Sequence, residues 1–580
     1  MLYPTLNEQA TSRQMVDTFR GYNHNLRIAD GEFYDMRNMT SDYYPVLSPR
    51  GKRGSHPTAG SVDGLIAKDA LCYVEDGKFI INGNEVPGFR LTEGEKTLIS
   101  MGAYVIVMPD KKYINTEDLT EFGNIEASVT TSNPVKFTLS RMDASEYPVD
   151  YIQATEPTDP ANMALWIDTS TTPHSLKQWS DTNGMWVSIA TTYVKIESEG
   201  IGQAFDQYDG ITISGLDAVE DQQIKDLNGS AIVYSKGEDF IVVVGILDTE
   251  RTISTEVTIS RTMPNMDFII ERENRLWGCR YGQALNGEIV NEIYASVLGD
   301  FKNWNRFMGI STDSYVASVG TDGPFTGAIT HLGYPLFFKE NCVHKVYGNF
   351  PANFQIQDTT LRGVQKGCDK SLAIVNEVLY YKARHAVCAY DGSLPTEVSY
   401  VMGDKRYSDA VGVAHGNKYY ISMRDNEGYH LFVYDTSKGM WHREDNFQAV
   451  HFCSCGDELY AVDETGAIVT MLGSGEPTEE QVEWMVETGE LMLSSPDMKY
   501  ISRLTVRMSL DIGASVEFYA QYDLSDEWIP IATMHGTSLR SFSVPIRPRR
   551  CDHMKLRIVG AGNGKIYSIT KTIEQGSELS

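Results

Sequence analysis

Three kinds of residue in this sequence could do chemistry: 78 carboxylates, twelve histidines and a few polar turns that end in tryptophan. Paired carboxylates cleave glycosidic bonds, one protonating the leaving oxygen while the other acts at the anomeric centre, and a sialidase adds an arginine cluster for the substrate carboxylate. The S-x-D-x-G-x-x-W turn box of sialidase propellers does not occur. Two segments come near it, SDTNGMW ending at Trp186 and YDTSKGMW ending at Trp441, but their spacing differs. Each reads as a turn whose Asp181 or Asp435 hydrogen-bonds its own backbone while the tryptophan packs between sheets. His442 and His451 have no cysteine or carboxylate partner at ligand spacing, so no metal site is expected at them. GAGNGK, Gly560 to Lys565, fails as a phosphate loop. Val559 stands where the first glycine belongs, and Ile566 follows the lysine where Ser or Thr would bind magnesium. It reads as a hairpin turn. No G-x-S-x-G elbow, H-E-x-x-H pair or EF-hand loop is present. With no catalytic, cofactor or metal residue assignable, the chain is expected not to be an enzyme.

Charge narrows the partners. Fifty Lys and Arg against 78 Asp and Glu give a formal net charge of -28, which disfavours a surface that grips DNA or an anionic membrane by counterion release. An acidic wall past which DNA moves without sticking is a different matter. The one local basic cluster, RPRRCDH from Arg547 to His553, reads as a solvated turn or a subunit salt-bridge contact, with an acidic partner surface as the alternative. The start, MLYPTLNEQ, has neither a basic nor an apolar leader region, and the longest apolar run is about Phe240 to Leu247, so no secretory signal and no membrane span are expected. Eight scattered cysteines without a C-x-x-C pair read as free thiols made in a reducing cytoplasm.

The elements that must position any site are strands. Aromatics reach 11%, Tyr numbers 32 and Gly 49, and helix formers at 3.6-residue spacing are scarce, which points to an all-β chain. ALCYVEDGKFIING sets Asp76-Gly77 between two apolar runs, as a tight hairpin needs, and KTLISMGAYVIVMPDKKYIN turns at Pro109-Asp110. Aromatic strands recur around Leu336, Leu379, Tyr419 and Leu459, at spacings of 43, 40 and 40 residues. A period near forty made of strands and turns is that of propeller blades, four-stranded sheets whose faces are covered only by stacked neighbours. Carried backwards, the register finds Leu276, Tyr104 and Leu71, giving seven candidate blades, with six or eight also compatible.

The division expected is an N-terminal extended arm with first propeller contacts over 1–60, first blades over 61–124, an inserted β-rich domain over 125–262, remaining blades over 263–475 and a C-terminal β-sandwich over 483–580. The insertion fills the gap of 172 residues between Tyr104 and Leu276 and follows the Ser/Thr/Asn-rich ASVTTSNP. The linker GSGEPTEEQ precedes the sandwich. EQVEWMVETGE, at the sandwich's entry, reads equally as a short helix or a strand.

FRGYNHNLRIADGEFYDMRNMTSDYYPVLSPRGKRG resembles the opening of the packaged-DNA-stabilisation and tail-hub, or nozzle, proteins of short-tailed bacteriophages, through Phe19, Gly21, Asn38, Arg50 and Gly51. IYASVLGDFKNWNRF, FFKENCVHKVYGNFPANFQIQ and GVQKGCDKSLAIVNEVLYY are similar to propeller segments of that group. LWIDTSTTPHSLKQWSDTNGMWVSI resembles a small β motif of phage tail and fibre proteins, with Trp166, Asp168, Leu176, Gly184 and Trp186. The resemblance implies a structural virion protein, assembled in the bacterial host cytoplasm as a homo-hexameric ring below the portal and its adaptor (head-to-tail connector) proteins. Such a ring retains packaged DNA, forms its ejection channel by transient passage of double-stranded DNA without specific binding, and contacts tail fibre or spike proteins. The competing reading is a glycan-binding or glycan-cleaving propeller, such as a receptor-binding tail protein, which requires an axial pocket lined by aromatics and paired carboxylates. A kelch-like bacterial scaffold is a third, suggested by YDTSKGMW alone.

Overall fold

The computed structural model describes residues 11–132, 134–284, 287–493, 498–523 and 525–575. Residues 1–10, on which the expectation of no leader rests, lie outside them. Among the described residues the fold is nearly all strand: a four-residue α-helix, Gln222–Lys225, and short 3-10 turns are the helical elements. No described helix is long and apolar enough to cross a membrane.

Seven antiparallel sheets form the propeller, each entered by its innermost strand. The innermost strands of blades one to seven are Val62–Lys68, Thr97–Met101, Phe268–Arg272, Gly327–His331, Ala373–Val375, Ser408–His415 and His451–Cys455. The seventh packs beside the first, which closes the ring. The aromatic strands that repeat in the sequence, at Leu71, Tyr104, Leu276, Leu336, Leu379, Tyr419 and Leu459, are in every case the second strand of a blade. That position has sheets stacked over both faces, so both faces are apolar; Ala70–Glu75, Tyr334–Lys339 and Val378–Lys382 are buried almost throughout. The Asp76-Gly77 turn takes positive φ at both residues, 48° and 70°, the geometry that matches strand twist in a two-residue hairpin.

The expected N-terminal arm is corrected: its strands are built into the eight-stranded C-terminal sheet and into blade seven. Thr11–Val16 pairs with Gly564–Gln575, and Glu32–Arg37 pairs with Glu483–Thr488. Further along, Gly54–Ser55 supplies the missing fourth strand of blade seven, hydrogen-bonded to Ile468–Thr470, and Glu476–Pro477 of the linker pairs on its other side. The ambiguous EQVEWMVETGE is a strand, Glu483–Thr488.

The C-terminal sandwich is one eight-stranded sheet folded over. Its spine, Lys499–Tyr522, runs through both halves and breaks register between Leu510 and Ser515, where Ile512 is fully exposed. SRLTVRMSL and SVEFYAQYD are thus the two halves of one bent strand, and Val506 and Phe518 from either side of the bend share one core with Trp484. The Gly560 to Lys565 turn sits at the same bend. It joins two strands that each pair with the spine and not with each other, so it is no hairpin.

The insertion leaves the outermost strand of blade two and returns to the innermost strand of blade three. Two of its sheets enclose a core of Phe137, Val194, Ile211 and Ile241, and a third, spanning Tyr151 to Ser188, stands beside them. Asn303 of blade three binds it, Nδ2 donating to Asp209 Oδ1 at 2.8 Å while Oδ1 accepts from the Gly210 amide at 2.9 Å. Arg261 pairs with the same aspartate.

The junction of arm, blade six and C-terminal sheet is charged and almost dry. Arg53 is 5% exposed and donates to Glu444 at 2.8 Å and Asp445 at 2.6 Å. Arg50 reaches Glu479 at 2.8 Å, and its Nε donates to Asn38 Oδ1 at 2.9 Å. Burial pushes the Asp445 carboxyl up, and the Arg53 guanidinium more than offsets this, leaving it below the usual carboxylate range. Removing one partner of such a pair strands the other in a dry site, which costs about 3–5 kcal/mol. Arg53→Met is therefore expected to lower stability by about that amount in urea unfolding at pH 7. Because the Asp445 pKa is depressed, the pair stabilises above the unfolded carboxylate range and the contribution fades as pH falls through the folded value. A variant as stable as the parent at pH 7 would refute the pair's role.

Candidate functional site

In each blade the chain runs down the axis on the innermost strand and up on the second, so the residues just before every innermost strand gather on one face. Glu95 precedes blade two, Asp267 blade three, and the 3-10 turn Asp369–Ser371 blade five. These three carboxylates line one cavity of about 410 Å³, together with Thr97, Phe268 and Ala328. Blades two and five are not neighbours, so a cavity lined by both lies across the axis.

The carboxylates are held in unlike states. Lys370 Nζ lies 2.6 Å from Glu95 Oε1 and donates to the Val450 carbonyl at 3.0 Å, tying blades two, five and seven together across the opening. Glu95 is desolvated, which raises its pKa, but the Lys370 hydrogen bond and charge outweigh this and hold it below its usual range. Asp369 moves the other way: burial is the main cause, and the nearby Glu95 charge adds to it. His451, at the start of blade seven, is pushed down to about 4 by burial and the Lys370 charge, so it is neutral at pH 7. One carboxyl shifted up and one shifted down, lining a shared cleft, is an arrangement that acid–base chemistry uses.

The other residues singled out by sequence lie elsewhere. Asp435 caps its own turn as expected, accepting from the Ser437 and Lys438 amides, and Trp441 is buried with its indole donating to the Val398 carbonyl at 2.7 Å. Asp181 does not cap its turn; it accepts from the Trp179 indole at 2.7 Å. Trp166, Trp179 and Trp186 cluster with ring centroids 5.3–5.5 Å from Trp186, beside an Asp168–Lys177 pair at 2.7 Å. Leu176 is core, and Gly184 turns at φ 59°. His442 is buried and pushed down to about 3 by desolvation. In the basic cluster, Arg549 stacks on Tyr522 and His553 lies against Asp552 and Glu490. Phe19 stacks on Phe33, Gly21 turns at φ 84° where a Cβ would meet the Trp441 carbonyl at 2.3 Å, and Asn38 turns at φ 57°. With Arg50 and Gly51 they belong to the arm that closes the propeller.

One group of potential metal ligands exists among the described residues, Asp425, Glu427 and His430. Lys405 Nζ already stands 3.2 Å from Asp425 and 3.0 Å from Glu427. His430 Nδ1 faces an Arg443 donor at 3.0 Å, which leaves its protonated Nε2 toward Asp425. Lys405 thus occupies both carboxylates of the group as their ion-pair partner.

No family model and no curated protein matches the chain. Solved structures similar to it include the exo-β-1,3-galactanase of Phanerochaete chrysosporium with galactose, at 10% identity and a TM-score of 0.22 over 52% of this chain and 94% of that one. A GH43 glycoside hydrolase engineered for endo-xylanase and exo-arabinofuranosidase activity is similar at 8% identity and a TM-score of 0.20, over 53% and 96%. The extracellular domain of a putative one-component system from B. thetaiotaomicron is similar at 10% identity and a TM-score of 0.26, over 92% and 98%. These likenesses concern the fold. Glycoside hydrolases stand among these structures, against the expectation that the chain is not an enzyme. That expectation rested on motifs of adjacent residues, whereas Glu95, Asp267 and Asp369 meet from separate blades.

A raised carboxyl pKa means that the fold is penalised once the group ionises. Above its folded pKa Asp369 destabilises the protein, and below the unfolded value the penalty vanishes. Asp369→Asn is accordingly expected to be more stable than the parent at pH 7, by about 1 kcal/mol, the scale of one favourable substitution. The gain should shrink as the melts are repeated toward pH 4. Parallel melting curves at every pH would show that this carboxyl is not penalised.

Proposed function

We propose that the protein is a glycan-cleaving propeller, the end of a sugar chain entering the axial cavity. Asp369 donates its proton to the glycosidic oxygen as the bond to the anomeric carbon breaks. Glu95, ionised and held by Lys370, takes the proton of the attacking water or attacks the carbon itself, and water restores both groups. The carrying observation is that Asp369 and Glu95 line one cavity with their pKa values shifted in opposite directions, Asp369 by burial and Glu95 by Lys370. The test is release of reducing ends from a panel of neutral and acidic polysaccharides. Asp369→Asn and Glu95→Gln are each expected to lower the rate by about 10²–10⁴-fold, the usual contribution of a positioned acid or base. A rate untouched by both substitutions, or no turnover of any glycan, would sink the reading.

A second reading, the tail nozzle, is favoured by a different observation: Phe19, Gly21, Asn38, Arg50 and Gly51, which carry the family resemblance, all fall in the segment that closes the propeller. Under it, copies form a homo-hexameric ring beneath the portal-adaptor proteins and DNA passes an acidic wall. Electron microscopy of the purified chain would then find closed rings with an open bore, whereas dispersed single particles at micromolar concentration would count against it.

A further inference from the structure

The connections that close blade five and lead into blade six sit on the same face as the axial cavity and enclose a second pocket of about 250 Å³. Its lining is basic in a chain of formal charge -28: Lys382, Arg384, His385, Lys405 and Arg406. Of the two acids at its wall, Glu397 is paired with Arg362 at 3.4 Å and Asp404 is exposed. Lys405 is engaged by Asp425 and Glu427, but Arg384 and Arg406 make no ion pair or hydrogen bond among the described residues.

Lys382 forms the floor. It is 2% exposed, yet no carboxylate meets it; Nζ donates to Gln365 Oε1 at 2.9 Å and to the Ala383 carbonyl at 2.5 Å. Of the other buried lysines, Lys96 and Lys571 each bind an aspartate, Asp110 and Asp30, while Lys339, which donates only to Asn291 and the Thr321 carbonyl, lies over the Tyr281 and Phe325 rings. A buried ammonium with neutral partners, facing a like charge on Arg406, is a costly arrangement that an anion would relieve. Burial and the Arg406 charge accordingly hold its pKa down to about 8. Two guanidiniums with free donors above a buried ammonium match a planar carboxylate.

We propose that this pocket binds the carboxylate of an acidic sugar unit, such as a uronic acid. That the anion belongs to a sugar rests on the glycan reading above; the anion site itself stands on Lys382, Arg384 and Arg406. The test is thermal melting of the full chain with D-glucuronate, D-glucose or inorganic phosphate at equal ionic strength. Glucuronate is expected to raise the melting temperature in a concentration-dependent way, glucose to leave it unchanged, and the double variant Arg384→Gln/Arg406→Gln to require roughly tenfold more glucuronate for the same rise. Asp369→Asn should keep the full glucuronate response, so the pocket survives even if no glycan is cleaved. A response absent in the parent, given by phosphate but not by glucuronate, retained in the double variant, or lost in Asp369→Asn would each overturn the assignment.

Discussion

A ring of sheets has no stable partial form: each blade leaves an apolar face bare until its neighbour covers it, and the last blade must be fastened to the first. Here the fastening is a strand of two residues, Gly54–Ser55, donated to blade seven from the other end of the sequence. Two backbone pairings are a weak clasp, and the buried Arg50 and Arg53 both lie just before it. Their carboxylate partners come from the exit of blade six and from the linker, so the ion pairs form only when arm, propeller and C-terminal sheet are all in place. Buried pairs contribute little net stability but penalise every arrangement in which one partner is missing, which suits a closure that must be made one way.

That closure fixes the axial face. With the ring complete, the innermost strands cannot slide, and the residues before them are held where the blades place them. Lys370 then meets Glu95 across the opening, and Asp369 is left within reach of the Glu95 charge. The opposed pKa shifts follow from position alone: Glu95 has an ammonium against it and Asp369 has burial plus a neighbouring anion. The insertion departs and returns on this face too, with Asp267 just after its point of return.

The repeat was legible because the second strand of each blade is covered on both faces, and that demands the unbroken apolar runs seen at Leu336, Leu379 and Tyr419. The same rule hides the innermost strands, which have the axis on one side and fewer constraints on their side chains. Glu95, Asp267 and Asp369 therefore sit in segments with no periodic mark. A hint was present in their placement just upstream of a blade, but it becomes a signal only when strand order around the axis is known. The N-terminal arm was misread for a related reason: Thr11–Val16 and Glu32–Arg37 find partners more than four hundred residues away, and local pattern says nothing of such pairing. Trp186 and Trp441, alike in sequence context, diverge because one lies on a small half-open sheet and the other under a blade against the arm.

Charge ties these observations together. The excess of acid over base disfavours a surface that grips nucleic acid or an anionic membrane. Against that background, a pocket whose buried lysine lacks an acid is conspicuous, because in so acidic a chain a carboxylate could readily have been supplied. Lys96 and Lys571 received one and Lys339 lies over two aromatic rings; Lys382 faces Arg406 instead. The long-range field weakens the approach of any anion, while the local donors bind one that has arrived. Small ligands carrying a single negative group are penalised least by the first and gain the whole of the second, whereas a long polyanion meets repulsion along its length. Under the proposed assignment the face would select by charge density, favouring a lone carboxylate over a phosphate backbone.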